Sequence, residues 1–252
     1  MCGICGVASA TGGVDRAALQ RMSDALVHRG PDDEGVYVSD RVGLANRRLS
    51  IIDLPGGHQP IHDEDERLWI TFNGEIFNYR QLRPETEAAG HRYSTNSDTE
   101  VLLHLYEEHG PAALDKLNGM FALAIWDDAK RELFLARDRL GVKPLYYAVR
   151  DGTLLFGSEI KAILAAMDAP PRVDVAALPS YLAFRTHYGD RTLFEGIRQL
   201  KAGHCLVWRD GRVEVQEWWD VRQSPAPMDE ADAARRLRAL LEDSVRLRLI
   251  AD

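Results

Sequence analysis

The sequence predicts an α+β fold in which antiparallel sheets are covered by helices. Two hairpin signals predict the antiparallel pairing. Asp151-Gly152 lies between apolar runs at 145–149 and 153–156, and the polar stretch Asp127-Asp128-Ala129-Lys130 lies between runs at 121–126 and 132–136. Asp210-Gly211 repeats the turn signal later. The helical patterns fall in groups between many adjacent short strands, the organisation of sheets with helices laid over them.

Taken in order, residues 2–9 read as an apolar strand containing the small residues Gly3, Gly6 and Ala8. Asp15 is placed to cap a helix with Leu19, Met22 and Leu26 on its apolar face, ending near Gly30-Pro31. Strand-like runs follow at 35–39, 42–46, 48–52 and 68–72. Helices are expected over 79–89 and 98–109, the second with Leu102, Leu103 and Tyr106 on one face. Ser224-Pro225-Ala226-Pro227 reads as a linker. Beyond it Asp229 can cap an amphipathic, Arg-rich helix carrying Leu237, Leu240, Leu241, Val245 and Leu249. This helix reads as a solvated amphipathic element rather than a membrane or calmodulin-type one. Its apolar stripe still needs a partner, and the chain stopping at Asp252 reads as a cut inside a longer protein.

At 252 residues, 45% apolar and 28% charged, the composition is that of an ordinary globular chain. A net charge of −8 with scattered arginines gives no basic face for nucleic acid or an anionic membrane. The longest apolar run, 120–126, is far below the roughly 20 residues of a spanning helix. No secretory signal opens the chain. Three cysteines, Cys2, Cys5 and Cys205, are too few for a disulfide framework and point to a reducing cytoplasm.

Cys2 is the sharpest chemical feature. Removal of Met1 would expose an α-amine with a pKa of about 7.7–8.0. That amine could serve as general base for the thiol beside it, with no histidine needed. The competing readings are an incidental terminal residue and a Cys2-Gly3-Ile4-Cys5 redox or zinc pair. No second CxxC exists and the eight histidines show no ligand spacing, so no metal is expected. A redox pair belongs at a helix start, whereas this one opens a strand. Attack on an amide also needs donors for the oxyanion and charges for the rest of the substrate. Arg48 at a strand end, Asn73-Gly74 after a strand and Asp98 at a helix start are candidates. Each has a structural alternative: a surface ion pair, a hairpin turn and an N-cap.

In sequence order stand Met1-Cys2-Gly3-Ile4, His28-Arg29-Gly30-Pro31-Asp32, Arg48-Leu49-Ser50-Ile51-Ile52-Asp53, Asn73-Gly74-Glu75-Ile76 and Ser97-Asp98-Thr99-Glu100. They are followed by Gly119-Met120-Phe121-Ala122, Arg137-Asp138-Arg139-Leu140-Gly141-Val142-Lys143-Pro144-Leu145-Tyr146-Tyr147 and Ser158-Glu159-Ile160-Lys161-Ala162. Over residues 1 to about 205 this set resembles the glutaminase domain of glutamine-dependent asparagine synthetases, class II glutamine amidotransferases. Phe77 departs from a tyrosine common in that family. The resemblance implies an N-terminal-nucleophile hydrolase fold, a four-layer αββα sandwich of two antiparallel sheets. It implies Cys2 as nucleophile and, through its amine, base, with Asn73 and Gly74 at the oxyanion. Arg48 would hold the glutamine carboxylate and Asp98 its ammonium. Leu49, Ser50, Ile51, Ile52 and Glu75 would complete the pocket, partly through backbone groups, and Arg29 would order the cysteine loop. Glutamine would pass through a γ-glutamyl thioester to glutamate and ammonia.

The implied organisation is a glutaminase domain at 1–205, a hairpin and linker at 206–227, and the first helix of a synthetase domain at 228–252. The family's pyrophosphate loop is absent from this sequence, so ATP and Mg2+ are expected only for that further domain, and none for the glutaminase step. The expected partners are glutamine and the synthetase domain, with room for a homodimer and none for nucleic acid or membrane. Two rivals stand beside this reading: the same chemistry serving a different carboxylate acceptor, and a non-catalytic module, which the retention of Cys2, Arg48, Asn73 and Asp98 argues against.

Overall fold

The computed structural model describes residues 1–54, 56–169 and 172–249, so the last three positions of the expected 228–252 segment lie outside the described residues. The chain opens with β1 (Gly3–Ser9), α1 (Arg16–Asp24), β2 (Asp33–Val38), β3 (Val42–Arg48), β4 (Ile61–His62) and β5 (Leu68–Ile76). Then come α2 (Tyr79–Ala89), α3 (Asp98–His109), a short α4 (Ala113–Lys116), β6 (Gly119–Asp127) and β7 (Glu132–Arg137). The rest comprises β8 (Tyr146–Arg150), β9 (Thr153–Gly157), α5 (Ile160–Ala165), α6 (Leu178–Phe184), β10 (Ile197–Gln199), β11 (His204–Arg209), β12 (Arg212–Glu217) and α7 (Glu230–Arg248).

The strands form two six-stranded sheets, ordered β10-β8-β9-β1-β3-β2 and β12-β11-β7-β6-β5-β4, with antiparallel pairing throughout. Side-chain alternation explains how they stack. On β6, Ala122, Ala124 and Trp126 meet Ile4, Ala8 and Leu44 of the other sheet, while Phe121, Leu123 and Ile125 face the Val101, Leu102, Leu105 and Tyr106 side of α3. On β1, Cys5 and Val7 point the other way, onto Leu19, Met22 and Leu26 of α1 and its following turn and Ala162 of α5. The layers are therefore helix, sheet, sheet, helix, the αββα sandwich expected. β1 and β6 are apolar on both faces because both faces are covered.

Two expected capping residues hold: Asp15 accepts the Ala17 N–H at 2.8 Å, and Asp229 Oδ2 accepts the Asp232 N–H at 3.3 Å. At α3 the cap is not Asp98 but Ser97, whose Oγ accepts the Thr99 N–H at 3.1 Å, so Asp98 is left as the first helical residue. α1 stops earlier than expected, at Asp24, and turns carry the chain to Arg29. Two expectations are corrected. Residues 49–52 are not a strand. The Arg48 guanidinium gathers the carbonyls of Ile52, Asp53 and Leu54 at 2.8, 2.7 and 3.2 Å, folding the segment back on itself. Asn73-Gly74 is neither a turn nor the residue pair after a strand, because β5 continues through Ile76 paired to β6.

β11 and β12 extend the second sheet beyond β7. Residues 224–227 are exposed and carry no regular structure. On α7, Leu237, Leu240, Leu241, Val245 and Leu249 are all more than half exposed, and Arg248 lies over the Phe77 ring at 4.5 Å. Among the described residues no helix is long and apolar enough to cross a membrane.

Candidate active site

A cavity of about 360 Å³ opens where the N-terminal end of β1, the C-terminal end of β3, β5 and the start of α3 converge. Its lining includes Cys2, Arg48, Leu49, Ile51, Ile52, Asn73, Gly74, Glu75 and Asp98, residues spread over nearly a hundred positions of sequence. Ser50 is not among them; its N–H turns to Asp32 Oδ2 at 2.9 Å. Arg29 lies behind the cavity. Its Nε donates to the Cys2 carbonyl at 2.9 Å and its Nη1 to Glu159 at 3.0 Å, so it fixes the backbone that presents the thiol.

The thiol is held between two backbone groups of one residue. Leu49 N–H points at Cys2 Sγ at 3.4 Å, and Sγ lies 3.5 Å from the Leu49 carbonyl. Burial raises the Cys2 pKa, and the Leu49 N–H, the chain amine, Arg48 and Lys143 pull against that rise. A thiol in this setting is not a preformed thiolate; it needs a base during attack.

Opposite it, β5 supplies donors. Asn73 is 1% exposed, and among the described residues its Nδ2 has no hydrogen-bond partner. Such a buried donor costs about 1–3 kcal/mol if nothing ever occupies it. β4 pairs β5 only at Trp69 and Ile70, so from Phe72 onward one edge of β5 is open. Phe72 N–H uses that edge to reach Gln59 Oε1 at 2.7 Å, and Ile76 N–H uses it to reach Asp98 Oδ2 at 2.8 Å. Alternate residues of a strand point their N–H groups to the same side, so the Gly74 N–H faces the same open edge, between the other two. Phe121, opposite Gly74, is turned away, with N–H and carbonyl both engaged by Asp138. A Cβ on Gly74 would sit 2.3 Å from the Met120 carbonyl oxygen, so only glycine allows β5 and β6 to pair this closely here.

The charges are arranged in two places. Arg48, 6% exposed, pairs with no carboxylate among the described residues, and three carbonyls hold its guanidinium rigid. Gly57 sits against it: a Cβ there would come 2.3 Å from Nη2. Asp98, 5% exposed, has no cation within ion-pair distance among the described residues. Burial pushes its carboxyl up to about 6, Glu75 adds to the rise, and the N–H groups of Ile76 and Thr99 oppose it. A rigid cation and a buried carboxylate with no cation partner among the described residues, lining one cavity, fit the adjacent charges of a zwitterionic α-amino acid whose side chain reaches the thiol and the β5 donors.

Sequence reasoning assigned no role to Lys143 or Gln59, and both line the cavity. Gln59 gave no pattern to read. Lys143 lay inside the Gly141-Val142-Lys143-Pro144 motif without an evident task. It is 5% exposed, burial lowers its pKa, and Glu75 and Cys2 hold it up. Met1 also lines the cavity and is 55% exposed, so it stands at the mouth.

Residues 1–219 match the family model described as "Glutamine amidotransferase domain". The whole chain is 38% identical to asparagine synthetase [glutamine-hydrolyzing] 3 of Bacillus subtilis, covering 42% of that protein. It is 36% identical to the amidase chry2 of Gibberella zeae over 93% of this chain and 35% of that one. The chain thus spans about two-fifths or less of the length of these relatives. A solved structure of the allosteric regulatory enzyme of purine biosynthesis superposes with a TM-score of 0.65 at 19% identity, covering 86% of this chain and 49% of that one, a likeness of fold.

Proposed function

Since the chain belongs to the glutamine amidotransferase domain family, we propose that it hydrolyses the side-chain amide of glutamine with Cys2 as nucleophile. One observation carries this reading. Among the described residues, the Cys2 cavity holds a buried donor without a partner, Asn73 Nδ2, and a buried carboxylate without a cation, Asp98. Each group is costly to bury unpaired, and glutamine satisfies both, the first through the oxyanion and the second through its α-ammonium.

Removal of Met1 turns the Cys2 nitrogen into a free amine and clears the cavity mouth. The amine takes the thiol proton as Sγ bonds to the amide carbon, and Asn73 Nδ2 with the Gly74 N–H takes the charge on oxygen. The carbon–nitrogen bond then breaks, and the same proton passes to the leaving nitrogen to give ammonia. Water, deprotonated by the amine, attacks the thioester, and the proton returns to sulfur as glutamate departs. Arg48 grips the α-carboxylate and Asp98 the α-ammonium, while the Leu49–Ile52 loop and Glu75 shape the walls. No cofactor enters these steps.

The ammonia is proposed to serve ATP- and Mg2+-dependent amidation of aspartate to asparagine, in a segment beyond the part of the relatives that this chain matches. The unpartnered stripe of α7 is read as the first helix of that segment, after a glutaminase domain and linker. The fungal amidase relative favours a second reading, the same hydrolysis with a different carboxylate as acceptor. The protein is read as cytoplasmic, with its cysteines reduced and with no nucleic-acid or membrane partner; a homodimer is compatible with this. The deciding experiment is glutamate release by the purified chain against its Cys2→Ala variant. Release is expected to vanish in the variant, and equal rates overturn the assignment. An acceptor screen with ATP and the longer protein distinguishes the two acceptors.

A further inference from the structure

On the outer side of α3, the rings of His91 and His104 stack with centroids 4.5 Å apart, between the carboxylates of Glu64 and Glu107. None of the four residues lines the Cys2 cavity. His104 is 1% exposed, and among the described residues neither of its ring nitrogens has a hydrogen-bond partner. Glu107 Oε2 is buried and, among the same residues, equally unpartnered. A buried imidazole and a buried carboxylate oxygen left bare side by side are each expensive, and proteins fill such positions.

Their geometry says with what. His91 Nδ1 lies 3.3 Å from Glu107 Oε2 and 3.9 Å from Glu64 Oε1, and His104 Nδ1 lies 3.5 Å from Glu107 Oε2 and 3.9 Å from Glu64 Oε2. None of these contacts is a hydrogen bond among the described residues: two are too long, and the other two are misaligned. A tetrahedral zinc ion with bonds of about 2.0–2.1 Å sets ligand atoms about 3.3–3.4 Å apart. The two contacts to Glu107 are near this spacing, and those to Glu64 are wider. All four ligand atoms lie within 4.8 Å of one another, so a turn of the half-exposed Glu64 side chain would close the shell. The outer partners orient the ligands. Glu108 Oε1 sits 2.9 Å from His91 Nε2, which places a proton there and leaves the Nδ1 lone pair facing inward. The Arg92 N–H holds Glu64 Oε1 at 2.7 Å. Protonating both rings instead would stack two cations face to face.

We propose that Glu64, His91, His104 and Glu107 form a structural site for a zinc-class divalent cation. Two imidazoles and two carboxylates suit zinc and its first-row neighbours better than magnesium or calcium. Four protein ligands make a closed site, which is structural rather than catalytic. The ion ties the turn between β4 and β5 to the α2–α3 connection and to the middle of α3, the helix whose first residue is Asp98. The sequence hid the site because its histidines are thirteen positions apart and come together only through the fold.

The test uses the full chain carrying Cys2→Ala, so that the terminal thiol and amine bind no metal, and no polyhistidine tag. After chelator treatment the protein is titrated with Co2+ and then Zn2+. One equivalent of Co2+ with the visible bands of a tetrahedral site, displaced by Zn2+ together with a rise in Tm, is the expected result. His104→Ala and His91→Gln lose the bands, Glu108→Gln weakens binding by about 10- to 100-fold, and His58→Ala changes nothing. Absence of bands together with an unchanged Tm in the treated parent protein overturns the site. So does undiminished binding of one equivalent by His91→Gln.

Discussion

The Ile76 N–H donates to the Asp98 carboxylate at 2.8 Å, joining the end of β5 to the start of α3 inside the cavity. Even so, burial holds the Asp98 carboxyl up at about 6. Between 3.8 and about 6 the folded chain keeps a proton that the unfolded chain has released, so this group lowers stability as pH rises through that window. Asp98→Asn is therefore expected to stabilise the glutamine-free protein at pH 7, by about 2–3 kcal/mol. The same change removes the ammonium's partner and weakens glutamine by about 2–5 kcal/mol. Denaturation and glutamine titration on one sample check both signs, and a destabilised variant that keeps its glutamine affinity removes Asp98 from the site.

In the parent enzyme the same carboxyl predicts an acid limb. Glutamine needs the ionised form, so kcat/KM is expected to fall as pH drops through about 6. Substrate-saturated kcat should hold to lower pH, because the bound ammonium favours the carboxylate. A flat kcat/KM across this range contradicts the pairing.

Asn73→Ala removes the unpartnered donor. The expected loss is about 10²–10³ in kcat with KM little changed, because an oxyanion exists only after attack. A variant that instead raises KM and leaves kcat alone assigns Asn73 to ground-state binding.

Met1 retention is the next case. With Met1 in place the Cys2 nitrogen is an amide, which accepts no proton near neutrality, and the Met1 side chain stands at the cavity mouth. Intact mass spectrometry of active protein is expected to show Met1 absent. Glutamate release at full rate by a chain that keeps Met1 rules out the amine as base.

That antiparallel sheets are covered by helices was legible because the central strands of both sheets bury both faces and stand out as apolar runs bounded by turns, whereas the four-layer order came from the family resemblance. The expected helices over 79–89 and 98–109 coincide with α2 and α3. What the sequence misreported was the backbone near the site. Residues 49–52 are apolar and β-branched like a strand, yet three carbonyl contacts to Arg48 make them a loop. Asn73-Gly74 has turn chemistry, yet the strand runs through it, because glycine is needed there for its closeness to Met120. Strand propensity lost to a guanidinium four to six residues away in the first place, and turn propensity lost to cross-strand pairing in the second. The candidate residues were legible as types, whereas the burial of Asn73 Nδ2 and Asp98 among groups that do not pair with them exists only in three dimensions.

Lys143 supplies the last prediction. Its side chain reaches the cavity from the loop after β7, and its backbone is fixed independently: its N–H donates to Asp138 Oδ2 at 3.0 Å and its carbonyl accepts Arg137 Nε at 2.6 Å. Replacing the side chain leaves both bonds in place, so Lys143→Met is expected to fold with little change in Tm. Its ammonium is one of the charges that pull the Cys2 thiol down against burial, and it does the same for Glu75. Without it the thiol is harder to ionise, and the pH profile for alkylation of Cys2 moves upward. A shift of about one unit corresponds to a tenfold slower alkylation at neutral pH. Lys143→Arg keeps the charge and is expected to restore most of the rate. An unmoved alkylation profile in Lys143→Met confines Lys143 to holding Glu75 and the cavity wall.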